Sequence, residues 1–395
     1  MRVAELTVFS VRIPFKKKIT HASHSRTDTD SLVVRCRLTD GTEGWGEGLP
    51  RPYVTGENLD QAWDVIRATD LAGQLGGDWG DLASSVERLQ SFDVQRRSDD
   101  DRGCFGNSAR CAIELSVLDA ICRAHQQPLS AVTALVPMTA AIRTQVDRVR
   151  YSGAFTAMTP WKQIKRAVLM RVFGFHQAKV KVGVAGVDDT ALLKRIRSWL
   201  GRSVDIRIDA NEAWTCASLQ EKLDPLKPFG ITAVEQPVPH ADINGLAAIR
   251  PQLGVPIMHD ESLCSEIDAR RAIERGTCDL FNIRLSKCGG FLPSLKLAAL
   301  AHQAGLGYQL GCQVGETGIL SAAGRHFATT VKNIRYLEGS YDRFLVAERL
   351  TKEDLTFGWG GYAPALTGPG LGITVDPAAL QRVMLKEETF PITSR

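Results

Sequence analysis

The chain has 395 residues, enough to bury a large core and more than one average domain needs. Its formal net charge is +4, with 48 lysines and arginines mixed among 44 aspartates and glutamates; this excludes an extended nucleic-acid surface and leaves a small anionic substrate as the better fit. Nine cysteines without a CxxC pair argue against a disulfide framework or a zinc ribbon and for a reducing cytoplasm, and no apolar run approaches the roughly 20 residues needed to span a bilayer.

In chain order, residues 1 to about 55 read as a strand meander: Val3 to Ile13, Asp30 to Leu38, a turn at Asp40-Gly41, and a strand from Gly44 to Gly48. The alternation at the N-terminus suits a first strand and not a signal peptide. From about 57 to 127 the period is helical, ending in Ser108 to His125, so the block as a whole predicts an α+β domain. From about 140 strands alternate with helices. The predicted strands are Ile142 to Val149, Ala178 to Val182, Asp205 to Asp209, Ala233 to Glu235, Ile257 to Asp260, Leu280 to Leu285, Gly307 to Gly311 and Ile334 to Glu338. Helices such as Trp161 to Phe173, Ala191 to Leu200 and Ser294 to Ala304 lie between them, and eight strands joined by helical crossovers predict a (β/α)8 barrel over residues 131–349. The tail, about 350–395, has no barrel unit left to join and is expected to pack back on residues 1–130.

Asp209, Glu235 and Asp260 each end one of these apolar runs, at intervals of about 25 residues. A carboxylate at the C-terminal end of a barrel strand points into the mouth, so the three predict one metal site. Three hard oxygen ligands favour Mg²⁺ first and Mn²⁺ second. Asn211 and Glu261, beside two of them, are expected to orient ligands and lysines without binding metal directly. Lys179 and Lys181 share one side of the second strand, and Lys287 follows the sixth, which lies opposite the second in a ring of eight. The reading therefore sets Lys181 and Lys287 face to face across the mouth. A metal of this kind stabilises charge developing on a bound carboxylate, as removal of its α-proton to an enediolate requires. A lysine serves as the base near neutral pH if burial and neighbouring cations lower its pKa, and Lys179 is the neighbour.

This pattern resembles the enolase superfamily, and within it the muconate-lactonizing subgroup. The resemblance is carried by Lys179-Val-Lys181, Asp209-Ala-Asn211, Glu235-Gln-Pro237, Asp260-Glu-Ser262 and Lys287-Cys-Gly-Gly290, and it covers most of the chain. It also implies that Gly311-Cys-Gln-Val-Gly-Glu-Thr-Gly318 is a seventh-strand motif with Glu316 close to the substrate or Lys287. It further implies that residues 1–130 and the tail form a capping domain. The cap's specificity loops would be about Lys16 to Asp30 and Leu49 to Glu57, with His24, Arg26, Arg51 and Tyr53 as substrate-binding candidates and the two arginines able to clamp a distal carboxylate. Members of the family usually self-associate, which implies a homo-oligomer.

The expected activity is removal of the α-proton of a carboxylate, with either Lys181 or Lys287 as base and the other as acid. Two opposed lysines suit racemisation or epimerisation of an N-acylated amino acid or a dipeptide. The dipeptide epimerases hold the substrate ammonium with an Asp-x-Asp on the eighth strand, where this chain has Glu338-Gly-Ser-Tyr-Asp342. Cycloisomerisation of a muconate-like diacid, or a dehydration of the succinylbenzoate-synthase kind, would use the same lysines. A Schiff-base aldolase leaves the carboxylates unexplained, and a binding protein on the same barrel is the alternative outside enzymes.

Overall fold

The structure, a computed structural model, describes residues 1–20, 25–156 and 158–392. It opens with three antiparallel strands, β1 (Val3–Thr20), β2 (Ser25–Leu38) and β3 (Glu43–Gly48). Four helices follow: α1 (Leu59–Ala68), α2 (Leu71–Leu75), α3 (Leu82–Gln90) and α4 (Asn107–Ala124). Asn58 and Gln61 start α1 with a reciprocal capping box, which satisfies amides that a first turn leaves unpaired. Helix α4 is buried from Asn107 to Cys122 on every side, so the three- and four-residue steps of its apolar positions mark a helix but not one with a solvent face.

Strand β3 meets α4 backbone to backbone. A Cβ on Gly46 would lie 2.0 Å from Ala112 O, and one on Gly48 would lie 1.9 Å from Ser108 O. Only glycine permits that approach. The expected return of the tail is seen as strand β14, which pairs antiparallel with β1 from Glu5↔Pro391 to Val11↔Met384; the sheet order is β14-β1-β2-β3, with β14 at Met384–Pro391.

Residues between these parts form an eight-stranded parallel sheet. Its strands are β5 (Gly153–Phe155), β6 (Gln177–Lys181), β7 (Asp205–Asp209), β8 (Ile231–Glu235), β9 (Ile257–His259), β10 (Leu280–Ile283), β11 (Gly307–Leu310) and β12 (Ile334–Leu337), in sequential order. The sheet is curled. Tyr336 of β12 packs with Ala233, Met258 and Leu280 from β8, β9 and β10 in one buried cluster, and its ring lies 4.5 Å beneath the Arg207 guanidinium of β7.

Two expectations are corrected. The ladder between β5 and β12 is not made, so the sheet is open and not a closed barrel; one backbone hydrogen bond, from Ser152 N–H to Leu337 O at 2.8 Å, crosses the gap. The predicted first strand, 142–149, is also displaced. Pro137–Ile142 is a 3₁₀ helix, β4 (Arg148–Arg150) pairs antiparallel with β13 (Tyr362–Pro364), and the chain joins the parallel sheet only at Gly153. The other seven strands and the helices Pro160–Val172, Asp189–Leu200 and Phe291–Gln303 lie within a few residues of expectation. No helix among the described residues is long and apolar enough to cross a membrane.

Candidate active site

Parallel register brings the C-terminal strand ends level. Lys181 of β6 pairs with Asp209 of β7, which pairs with Glu235 of β8, which pairs with Met258 of β9 two residues before Asp260. Asp209, Glu235 and Asp260 thus form a row along one edge, all nearly inaccessible to solvent. Cations interleave with it. Lys179 Nζ lies 3.6 Å from Asp209 Oδ2 and 3.5 Å from Glu235 Oε1. Lys181 Nζ lies 3.5 Å from Asp209 Oδ2 and donates to Asn211 Oδ1 at 2.5 Å. Arg284 donates to Asp260 Oδ2, and its Nη2 is 3.3 Å from Glu235 Oε1.

The carboxylates are turned to these cations and do not converge on one point. Among the described residues no set of three or more His, Cys, Asp or Glu side chains is gathered closely enough to hold a metal ion as it stands. The residues nevertheless suit one. Asp209 Oδ2 and Glu235 Oε2 are buried and accept no hydrogen bond, the lysines beside Asp209 Oδ2 standing off at 3.5 and 3.6 Å, so a cation bound directly would complete both oxygens. The all-oxygen donor set is that of a hard divalent ion. Burial pushes the Glu235 carboxyl up to about 7 despite Lys179, and burial together with Asp260 pushes that of Glu261 well above the usual range.

Lys287 is not in the mouth, contrary to expectation. It is fully buried. Its ammonium donates to Asp260 O at 2.6 Å, Asp260 Oδ1 at 2.9 Å and Asn282 O at 2.8 Å, which uses all three of its protons. The Lys-Cys-Gly-Gly290 segment serves as a joint with α4. Asn107 Nδ2 donates to Lys287 O at 2.8 Å, Arg110 Nη1 donates to Gly289 O at 2.5 Å, and the Glu114 carboxylate accepts from the amides of Phe291 and Leu292 at 2.6 and 3.0 Å. Glu114 thereby caps the helix Phe291–Gln303, where a negative charge is favoured.

Glu338 is also placed differently from expectation. Lys179 Nζ lies 2.7 Å from its Oε1, and Arg207 donates to the same oxygen. Burial disfavours its ionisation, but Lys179, Arg207 and Arg284 outweigh that and hold the carboxyl below its usual range. It is therefore paired inside the sheet and does not stand ready for a substrate ammonium. The same pairing alters Lys179: burial disfavours its charge, yet Glu235, Glu338 and Asp209 outweigh burial and push its pKa up. The carboxylates thus offset the field that Lys179 was expected to supply to Lys181.

Arg51 is a staple and not a clamp. Its guanidinium is buried and donates to Pro50 O, Asp30 O, Thr29 Oγ1 and Val314 O at 2.7 to 3.1 Å. Arg26 is half-buried, with Nη2 3.4 Å from Asp30 Oδ2. Tyr53 packs beside Val54, Cys104 and Cys264. His24 lies outside the described residues. Glu316 accepts from Gln313 N–H at 2.6 Å, burial pushes it up to about 8, and it lines a small cavity with Glu338, Tyr151 and Leu285.

Sequence reasoning passed over Arg207 and Arg284. The strand period offered a signal for both, since Arg207 stands two residues before Asp209 and Arg284 two after the inward-facing Asn282.

Comparison with known proteins agrees with this architecture. Residues 162–379 match the family model described as enolase C-terminal domain-like. The hydrophobic dipeptide epimerase of Enterococcus faecalis is 30% identical over 336 residues, covering 85% of this chain and 89% of that one. A dipeptide epimerase structure from that organism, with Mg and L-Leu-L-Tyr, has a TM-score of 0.81 at 28% identity, covering 95% of this chain and all of that one. The N-succinyl Arg/Lys racemase of Bacillus cereus has a TM-score of 0.85 at 26% identity, covering 99% and 100%. A muconate lactonizing enzyme from Pseudomonas fluorescens, complexed with muconolactone, has a TM-score of 0.83 at 25% identity, covering 97% and 99%.

Proposed function

The chain belongs to the enolase C-terminal domain-like family and is an isomerase of the enolase superfamily; from that premise we propose that it removes the α-proton of a carboxylate substrate, with Lys181 as base. The observation that carries this reading is the row Asp209–Glu235–Asp260 with the Lys181 ammonium at its Asp209 end, 3.5 Å from Oδ2. Asp209, Glu235 and Asp260 would hold the divalent cation, Mg²⁺ before Mn²⁺. When bound, that ion would supply stabilisation of the negative charge growing on the substrate carboxylate.

The remaining work belongs to the chain's own side chains. Asn211 Oδ1 accepts a hydrogen bond from the Lys181 ammonium and fixes its direction. Glu338 and Arg207 hold Lys179 beneath the row, and Glu261 stands beside Asp260 as an orienting group. Residues 1–130, with the tail from about 350, act as a cap over the catalytic part, residues 131–349. The tight joint between α4 and residues 287–292 supports this division. Arg26, near the start of β2, and Tyr53, after β3, stand on the cap where the substrate's far end would be read, and Glu316 closes the side of the mouth after the seventh strand.

Two net outcomes use this proton step. Racemisation or epimerisation of an amino-acid derivative or dipeptide follows the relatives, and it asks for a proton donor on the face opposite Lys181. Cycloisomerisation of a muconate-like diacid, or a dehydration, asks for one base, and the burial of Lys287 away from the mouth favours it. The shared step is tested by solvent deuterium exchange into the α-position of a panel of carboxylates with Mg²⁺. The expected result is exchange that Lys181→Ala abolishes. Metal binding without exchange into any panel member would leave a binding protein and end the catalytic reading.

A further inference from the structure

The side of the mouth across from Lys181 belongs to Arg284. β6 and β10 stand four places apart in the eight-strand order, so their ends face each other over the curled sheet. Asn282 of β10 points inward, donating to Glu235 Oε1 at 2.9 Å. Arg284 continues on that face and reaches Asp260 and Glu235. Lys181 meets the carboxylate row at its Asp209 end and Arg284 meets it at its Asp260 end. Their side chains keep 12% and 11% exposure, whereas Lys287 has none.

The two cations differ in kind. An amine that has released its proton is a base, whereas a guanidinium keeps its proton under all ordinary conditions and offers only donors. We propose that Arg284 makes the site one-sided: Lys181 alone takes the α-proton and returns it, and Arg284 stands over the other face as a fixed cation that exchanges no proton with carbon. The inference rests on the α-proton reading with Lys181 as base. In the step it describes, the Cα–H bond breaks and the proton forms an N–H bond on Lys181. The electron pair moves toward the carboxylate and then either re-forms a bond to hydrogen on the same face or closes a Cα=Cβ bond as a β-oxygen leaves. That oxygen departs as water, taking the proton that Lys181 received, or as the carboxylate of an opening lactone, with the proton staying on Lys181 until solvent removes it; nothing is oxidised or reduced. Inversion at the α-carbon is not part of this chemistry, so the substrate class is a carboxylate with an oxygen substituent β to it, or the unsaturated acid formed from one.

The test follows α-proton exchange by proton NMR in D₂O with Mg²⁺. The probes are both α-epimers of N-succinylarginine and of Leu-Tyr, each given to the wild type, Lys181→Ala and Arg284→Lys. In the wild type one epimer of a pair should exchange, its partner being slower by about 10²-fold or more, with no interconversion of epimers. Arg284→Lys restores an amine on the second face and should raise exchange of the slow epimer by roughly tenfold or more, a change of preference that a purely structural role would not produce. Comparable wild-type rates for the two epimers, or an unchanged slow epimer in Arg284→Lys, would overturn the one-sided site while leaving the α-proton reading intact. The wild-type comparison needs no variant to fold. Absence of exchange from every epimer, and also from muconolactone, whose ring oxygen is β to its side-chain carboxylate, would overturn both readings together.

Discussion

Two segments carry the lysines that the motifs single out, and they end in opposite situations. On β6, Lys181 lies at the strand's last position, where the two-residue period aims it into the mouth and Asn211 steadies it. After β10, Lys287 lies in a turn, and its ammonium is sunk among three oxygens, two on Asp260 after β9 and one on Asn282 of β10. The same residue type faces the reaction in one place and holds the scaffold in the other. What separates them is position within the strand period and the number of protons left over after local acceptors are served. A lysine next to a glycine pair is informative about chemistry only once that count is made.

The contrast can be broken most directly at Lys181. Lys181→Ala should lower α-proton exchange by about 10² to 10⁴-fold with little change in the unfolding midpoint; a loss of stability without loss of exchange would reverse the assignment. Lys287→Met should do the opposite. It leaves Asp260 Oδ1 without its ammonium, while Asp260 O keeps the Leu263 amide at 3.0 Å; breaking such a buried pair costs about 3–5 kcal/mol, read from urea unfolding. If Lys287→Met abolishes exchange at unchanged stability, Lys287 belongs to the reaction after all.

A smaller effect tests the joint behind Lys287. Gly290 has φ of 130°, and a Cβ there would lie 2.1 Å from Glu114 Oε2. Gly290→Ala should therefore cost about 1–3 kcal/mol through strain and displacement of Glu114, and the cost should shrink in a Glu114→Ala background. Equal costs in both backgrounds would show that Glu114 is not what the residue meets.

The smallest effect is on pH dependence. Burial pushes the carboxyls of Glu47, Glu57 and Glu114 up to about 7, whereas in an unfolded chain such groups titrate near 4.3. At neutral pH the native state therefore binds more protons than the unfolded state, and stability should rise as pH falls from about 8 to about 6.5. Below that window the buried neutral His259 and His326, whose pKa values burial lowers to about 3 and about 4, act in the other direction. Glu114→Gln should flatten the slope of the unfolding free energy between these pH values by at most about 1.4 kcal/mol per pH unit. An unchanged slope would mean that Glu114 is ionised in the native state.

Much of this arrangement was legible in the chain. Seven of the eight parallel strands announce themselves as short apolar runs between helical stretches. The first did not, because Gly153-Ala-Phe155 is too short to show a period and the residues before it pair elsewhere. In the site, the spacing that finds Asp209, Glu235 and Asp260 continues with one more step of nearly equal size to Arg284, and Lys287 lies three residues beyond that step. The rhythm was the better guide, and the lysine motif drew attention away from it. Arg51 and Glu338 could not be placed from sequence because their partners come from remote segments, Val314 for one and Lys179 and Arg207 for the other.

The glycines of β3 carry a consequence for how such a chain can diverge. Where Gly46 and Gly48 ride on the backbone of α4, there is no layer of side chains that could be exchanged for others of similar volume. Sequence drift has nothing to trade at that seam. The same helix holds the loop that carries Lys287, which in turn holds Asp260. The mount of the reacting groups is thereby tied to a seam that no exchange of side chains can loosen.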